Sequence, residues 1–148
     1  MVGPPPRLFL DASVLIAGAG SAEGGSAVVL EICRAKLAIP VLTRLVLREA
    51  ERNIQSKLER EVLLRFYRLI ADLEPELLPI PSAEDLQRAS QVVPTKDAHV
   101  LAGARGGAAT HLITLDSKHF LQEDQRAGIL PIVACTPGEL LREFLTSE

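Results

Sequence analysis

The sequence has no tryptophan, a single tyrosine and four phenylalanines, so aromatic residues make up only 3% of its 148 positions. Phe9, Phe66, Tyr67, Phe120 and Phe144 read mainly as core. That leaves no platform on which successive bases would stack and no apparatus for sequence-specific readout of single strands. Cysteine is nearly absent too. Cys33 and Cys135 lie far apart with no metal-type spacing, which excludes a disulfide framework and a zinc cluster and suits two buried thiols of an intracellular protein. Neither sign of charge dominates: 16 basic against 19 acidic residues give a net charge of −3. The balance does not advertise a polyanion partner, although a local basic rim can coexist with a mildly acidic whole. No apolar run approaches membrane-spanning length, and the N-terminus, with Pro4, Pro5 and Pro6, has no apolar signal region. The expectation is a cytoplasmic protein with no membrane partner.

What is present suits a globular domain. Hydrophobic residues make up 47% of the chain and charged residues 24%, and the length supports one core but not two. The reading is a single domain over 1–148, with Met1–Pro6 as a loose lead-in and no internal repeat. Strands are expected at Arg7–Leu10, Ala38–Leu42, Leu77–Ile80, His111–Leu115 and Ile129–Ala134. Gly18–Gly25 reads as a flexible loop, with Ser26 capping a helix through Ala35. Thr43 caps a helix through Asn53, followed by another over Lys57–Leu73. Ser82 opens a helix to about Val93, and a further helix runs from Thr95 to Gly106-Gly107. Thr136-Pro-Gly-Glu139 combines a cap, a proline at the first helical position and a Glu three residues on, which opens the last helix. Strands alternating with helices make this an α/β domain with a mainly parallel sheet.

Two of these strands end on acids. Leu8-Phe-Leu runs into Asp11, and Leu112-Ile-Thr-Leu runs into Asp116. In open parallel sheets the functional crevice lies beyond the carboxyl ends of the strands. Parallel neighbours would bring the two carboxylates to the same edge, where burial and repulsion raise at least one pKa. A hard cation such as Mg²⁺ resolves that conflict. An Asp at either place also serves as a helix N-cap, and the strand ends alone leave both roles open. Two further acids stand among apolar neighbours. Glu49 is at the border of a buried helix face, and Asp97 is in the first turn of Asp97-Ala-His-Val-Leu-Ala. For these, a solvated rim and favourable helix-dipole placement are the simple structural roles.

Together the blocks Leu8-Phe-Leu-Asp11-Ala-Ser-Val-Leu-Ile, Thr43-Arg-Leu-Val-Leu-Arg-Glu49, Lys96-Asp97-Ala-His-Val-Leu-Ala and Leu112-Ile-Thr-Leu-Asp116-Ser-Lys-His-Phe120 resemble the PIN-domain family in order and spacing. The resemblance implies a three-layer α/β/α sandwich and a metal-dependent ribonuclease. It puts the family's acidic quartet on Asp11, Glu49, Asp97 and Asp116, with Glu51 as a close neighbour of the second. It further implies Mg²⁺ or Mn²⁺ as cofactor, commonly a homodimer, and for many microbial members a toxin restrained by a small antitoxin. Ser13 matches a small polar residue after the first acid, and Thr114 and Ser117 flank the last, where they would orient a water or a phosphate oxygen. The chain departs from the pattern in one place. Many members carry a further acid shortly beyond the last aspartate, whereas this chain has Ser117, Lys118 and His119, leaving fewer ligands for a second ion.

The mechanism expected from this set is attack by water on an RNA phosphodiester, leaving a 5′-phosphate and a 3′-hydroxyl. Asp11, Asp97 and Asp116 would hold the ion and Glu49 would position the water. Arg44, Arg48, Lys96, Arg105 and Lys118 are candidate holders of the phosphate backbone. His99, His111 and His119 have no metal-type spacing and read as surface or helix-side residues. Two other readings compete. One keeps the fold without turnover, as an RNA- or protein-binding module. The other is a dinucleotide-binding domain suggested by Gly18-Ala-Gly20, weakened by Glu23 in the slot before Gly24.

Overall fold

The computed structural model describes residues 3–146; Met1 and Val2 of the expected lead-in lie outside them. Leu8, Phe9 and Leu10 of strand β1 (Arg7–Leu10) are completely buried, as expected of a strand covered on both faces. β1 is the central strand of a five-stranded sheet. The others are β2 (Ile39–Thr43), β3 (Glu76–Leu78), β4 (His111–Ile113) and β5 (Val133–Cys135), in the order β3-β2-β1-β4-β5. Every pairing is parallel.

From β1 the chain winds outward to β2 and β3, then crosses back to β4 and on to β5. Right-handed crossovers put α1 (Ala12–Gly20), α2 (Gly25–Arg34), α3 (Arg44–Lys57) and α4 (Arg60–Leu73) on one face. They put α5 (Ala83–Ala89), α6 (Ala98–Gly106), α7 (Ser117–Phe120) and α8 (Glu123–Ile129) on the other. The helix contacts follow this division: α1 touches α2, α3 and α4, α5 packs on α6, and α9 (Pro137–Thr146) returns to α2. The result is a three-layer α/β/α sandwich. Its direction of winding reverses between β1 and β4, which is where open α/β sheets place a functional crevice, beyond the carboxyl ends of the strands.

Local chemistry explains where the elements depart from expectation. Gly18–Gly20 is not loop but the end of α1. A Cβ on Gly18 would lie 2.2 Å from Leu30 Cδ1, so that glycine lets α1 and α2 approach closely. It also leaves the Gly-x-Gly at the carboxyl end of a helix, whereas a dinucleotide fingerprint needs it at the amino end. Helix α2 begins after Gly24, and Ser26 is buried within it. The segment after Pro94 enters α6 through a 3₁₀ turn, Thr95–Asp97. The helix from Ser82 stops at Ala89, short of Val93, and β3 sits one to two residues earlier than expected. The last strand is Val133–Cys135, because residues up to Ile129 form α8 instead. That helix starts with a capping box between Gln122 and Gln125, and glutamine is not a strong N-cap signal in sequence. The box expected at α9 forms in full: the Thr136 amide donates to Glu139 Oε1 at 2.9 Å and the Glu139 amide to Thr136 Oγ1 at 3.1 Å. No single helix among the described residues is long and apolar enough to cross a membrane.

Candidate metal centre

Asp11 is the first residue beyond β1. Its amide donates to Ile113 O at 3.0 Å, so it is still tied to the sheet when α1 begins, and it is the N-cap of that helix. The carboxylate is 6% exposed. Oδ1 accepts from the Ala12 amide at 2.9 Å, and Oδ2 accepts from Ser13 Oγ at 2.9 Å and Thr114 Oγ1 at 2.7 Å. Burial pushes its carboxyl above the ordinary aspartate value; the Thr114 and Ser13 hydroxyls pull it back, and the charge of Glu49 pushes it further up. Ser13 and Thr114 are therefore engaged in bracing Asp11. The Thr114 hydroxyl also accepts from the Asp116 amide at 3.0 Å, and Ser13 Oγ from the Leu115 amide at 3.1 Å. One buried threonine thus joins the ends of β1 and β4.

Asp116 is three residues beyond β4 and caps α7, with Oδ1 accepting from the His119 amide at 3.1 Å. Its Oδ2 lies 2.8 Å from His119 Nδ1. Asp97 arrives from the opposite side, at the junction of the 3₁₀ turn and α6. Its side chain is 19% exposed, and Nδ1 of His119 stands 3.4 Å from its Oδ2. That oxygen is buried and receives no hydrogen bond among the described residues. Burial raises the Asp97 carboxyl; the charges of His119 and Lys96 oppose this, and those of Asp116 and Glu49 add to it.

Glu49 comes from α3 and is the most open of the four, its side chain 47% exposed. Its Oε1 is 3.5 Å from His99 Nε2, and its charge acts on both Asp11 and Asp97. Glu51 is engaged elsewhere, accepting a hydrogen bond from the Tyr67 hydroxyl on α4. The structure thus gathers all four expected acids at the crevice, in two tiers. Asp97, Asp116 and His119 each offer a ligand atom within 4.8 Å of one another. Asp11 and Glu49 are outside that tight group, the first linked to it through Thr114 and the second through its charge.

The histidines differ from the sequence reading. His119 and His99 line the acidic crevice, while buried His111 pairs with Glu143 on α9 at 2.9 Å. The signal for His119 was its place three residues after Asp116, which one helical turn brings to the same side. Of the basic candidates, Lys96 is beside Asp97, and Arg44, Arg48 and Lys118 are exposed. Arg105 is at the far end of α6, donating to Gly128 O at 3.2 Å. Tyr67 is 43% exposed and is not core. The Ser117 side chain is exposed.

A small dication suits this donor set. Hard carboxylate oxygens predominate, and the buried Oδ2 of Asp97, 3.4 Å from His119 Nδ1, receives no hydrogen bond among the described residues, which leaves a partly desolvated carboxylate room for a cation.

No protein-family model matches the chain, and no curated protein matches it. Solved structures do. PAE2754 from Pyrobaculum aerophilum superposes with a TM-score of 0.62 at 15% identity, over 95% of this chain and 90% of that one. VapBC2 from Rickettsia felis, solved bound to a DNA fragment from their promoter, gives 0.60 at 14% identity, over 87% and 96%. The fold is shared. At these identities the likeness concerns the fold, and it supports the PIN-like architecture that the sequence blocks imply.

Proposed function

We propose that this chain is a metal-dependent endoribonuclease that hydrolyses RNA phosphodiester bonds, with Asp11, Glu49, Asp97 and Asp116 serving a Mg²⁺ or Mn²⁺ ion. The observation that carries the reading is the convergence of acids from four separate segments beyond the ends of β1 and β4, with a buried oxygen of Asp97 that has no hydrogen bond among the described residues. Asp97 and Asp116 would hold the ion, with Asp11 behind them. When bound, the dication makes water a better nucleophile at neutral pH and steadies charge on the phosphate. Thr114 and Ser13 hold Asp11 in one orientation, so the site is organised before substrate arrives. Glu49, at the open rim, would position the attacking water and take its proton. Lys96, whose charge acts on Asp97, and Lys118 of α7 are exposed and would hold the RNA backbone. With few aromatics exposed, binding rests on phosphates rather than bases.

The toxin assignment goes one step further and rests on the four sequence blocks together with a fold shared with VapBC2. It proposes a small antitoxin protein as partner, a homodimeric state and a cytoplasmic site of action, where the two buried thiols stay reduced. The test is cleavage of end-labelled RNA. We expect products with 5′-phosphate and 3′-hydroxyl ends in Mg²⁺ or Mn²⁺, none in EDTA and none from Asp116→Asn. Expression of the wild type alone should arrest growth, and that of Asp116→Asn should not. Metal-independent cleavage, or full activity of Asp116→Asn, would remove the proposal; RNA retained without turnover at any metal concentration would leave a binding module.

A further inference from the structure

We infer that His119 is itself a ligand of this centre, through Nδ1, and that its imidazole makes the site prefer first-row transition dications such as Mn²⁺ to Mg²⁺. The inference rests on the metal-dependent reading above and extends it to the identity of the ion. Three observations point the same way. First, Nδ1 faces two carboxylates from different elements, at 2.8 Å from Asp116 Oδ2 and 3.4 Å from Asp97 Oδ2. Adjacent ligand atoms around a small six-coordinate dication, with bonds of about 2.1 Å, stand about 3 Å apart, and the two spacings bracket that value.

Second, the backbone that carries the imidazole is held in place on both sides. The amide of His119 donates to Asp116 Oδ1 at 3.1 Å, and the next residue, Phe120, is buried in the core and anchors the turn. Third, His119 in its hydrogen-bonded role satisfies Asp116 alone, and Asp97 Oδ2 remains without a hydrogen bond among the described residues. A cation shared by the three atoms would answer both carboxylates together.

The consequence is chemical. Mg²⁺ is a hard ion that favours oxygen ligands and its own waters, whereas an imidazole nitrogen adds affinity for first-row transition ions. A histidine that merely braced Asp116 by hydrogen bonding would orient the carboxylate for either ion and would not discriminate between them.

The experiment is a Mn²⁺ titration of the 148-residue chain followed by electron paramagnetic resonance, with Mg²⁺ as competitor and spin-echo detection of nitrogen coupling to the bound Mn²⁺. We expect a directly coordinated nitrogen in the wild type and in His99→Gln. The coupling should vanish in His119→Asp and His119→Gln. The His119→Asp site should still bind Mn²⁺, with its Mn²⁺-to-Mg²⁺ affinity ratio reduced at least about tenfold. Bound Mn²⁺ without nitrogen coupling would overturn the assignment. So would coupling that survives in both His119 variants, or loss of Mn²⁺ and Mg²⁺ affinity in equal proportion. The nuclease reading fails separately, if Mn²⁺ binding is indifferent to Asp116→Asn; absence of any Mn²⁺ binding to the wild type would end both.

Discussion

Replacing Thr114 with valine keeps nearly the same shape and removes one hydroxyl from a fully buried position. That hydroxyl donates to Asp11 Oδ2 and accepts from the Asp116 amide. A hydrogen bond to a charged group contributes about 1.5–3 kcal/mol. Asp11 is 6% exposed, so water does not readily replace the lost donor. The Asp116 amide is nearer solvent, and stranding it adds no more than about 1 kcal/mol. We expect a total loss of about 2–4 kcal/mol, which at about 2–4 °C per kcal/mol for a chain of this size lowers Tm by roughly 5–15 °C. Circular dichroism melts in EDTA at neutral pH measure it.

Two further measurements tie that loss to Asp11. In a double-mutant cycle with Asp11→Asn, Thr114→Val should show coupling of about 1 kcal/mol or more. The loss should also depend on pH. The folded-state carboxyl of Asp11 is already raised above 3.8, and Thr114 is one of the groups pulling it down; without the hydroxyl it rises further. Above the raised value Asp11 is ionised and the full deficit appears. As pH falls through that value toward 3.8, the folded protein takes up the proton and the deficit shrinks. A loss below about 0.5 kcal/mol, additivity with Asp11→Asn, or a deficit that grows toward acid would refute the bracing role.

Asp97→Asn should raise the Tm of the metal-free protein at neutral pH, because it removes a charge that burial, Asp116 and Glu49 disfavour, and should abolish stabilisation by added Mn²⁺. The gain should fade as pH is lowered, since the wild-type carboxyl then protonates in the folded state; a variant less stable than wild type in EDTA would count against this account. Gly103→Ala should lower the urea-derived stability by about 1–3 kcal/mol despite alanine's better helix propensity, because the new Cβ would lie 2.9 Å from Phe9 Cε2 and 3.0 Å from Thr43 Cγ2. Unchanged or improved stability would show that α6 has room to move off the sheet. Burial pushes the thiols of Cys33 and Cys135 up to about 12, so a thiol reagent at pH 8 should leave native protein unlabelled and modify both after unfolding in urea; rapid native labelling would contradict the packing.

The parts of the site legible in the sequence are those that depend on near neighbours. An apolar run that stops on an acid is a local pattern, and Asp11 and Asp116 lie where those runs led. Each is also the helix cap that its sequence position allowed, so capping does not exhaust the carboxylate: Oδ1 of Asp11 caps α1 while Oδ2 accepts from Ser13 and Thr114. What was hidden depends on partners far away in the chain. What separates Glu49 from Glu51 is Tyr67 on the next helix, which donates to Glu51, whereas the charge of Glu49 acts on Asp11 and Asp97. The work of Thr114 is invisible without Asp11, 103 residues earlier. Helix α8 carried its capping box on glutamines, and Gly18 read as flexible because its reason, the side chain of Leu30, belongs to another helix.

His119 shows most clearly why spacing alone was insufficient. Metal-ligand motifs are recognised by repeated histidines or cysteines on one element, and this chain has no such repeat. Here the ligand-type atoms come from α7 and from the turn before α6, two elements that meet only because the sheet reverses its winding between β1 and β4. A four-residue helix is too short to leave a periodic trace. Its histidine therefore looked solitary, although one turn of backbone sets it against Asp116 and the topology brings Asp97 to its other side. The topological switch is thus what turns four acids and a histidine, each ordinary in its own segment, into one centre of negative charge whose buried Asp97 oxygen has no hydrogen bond among the described residues.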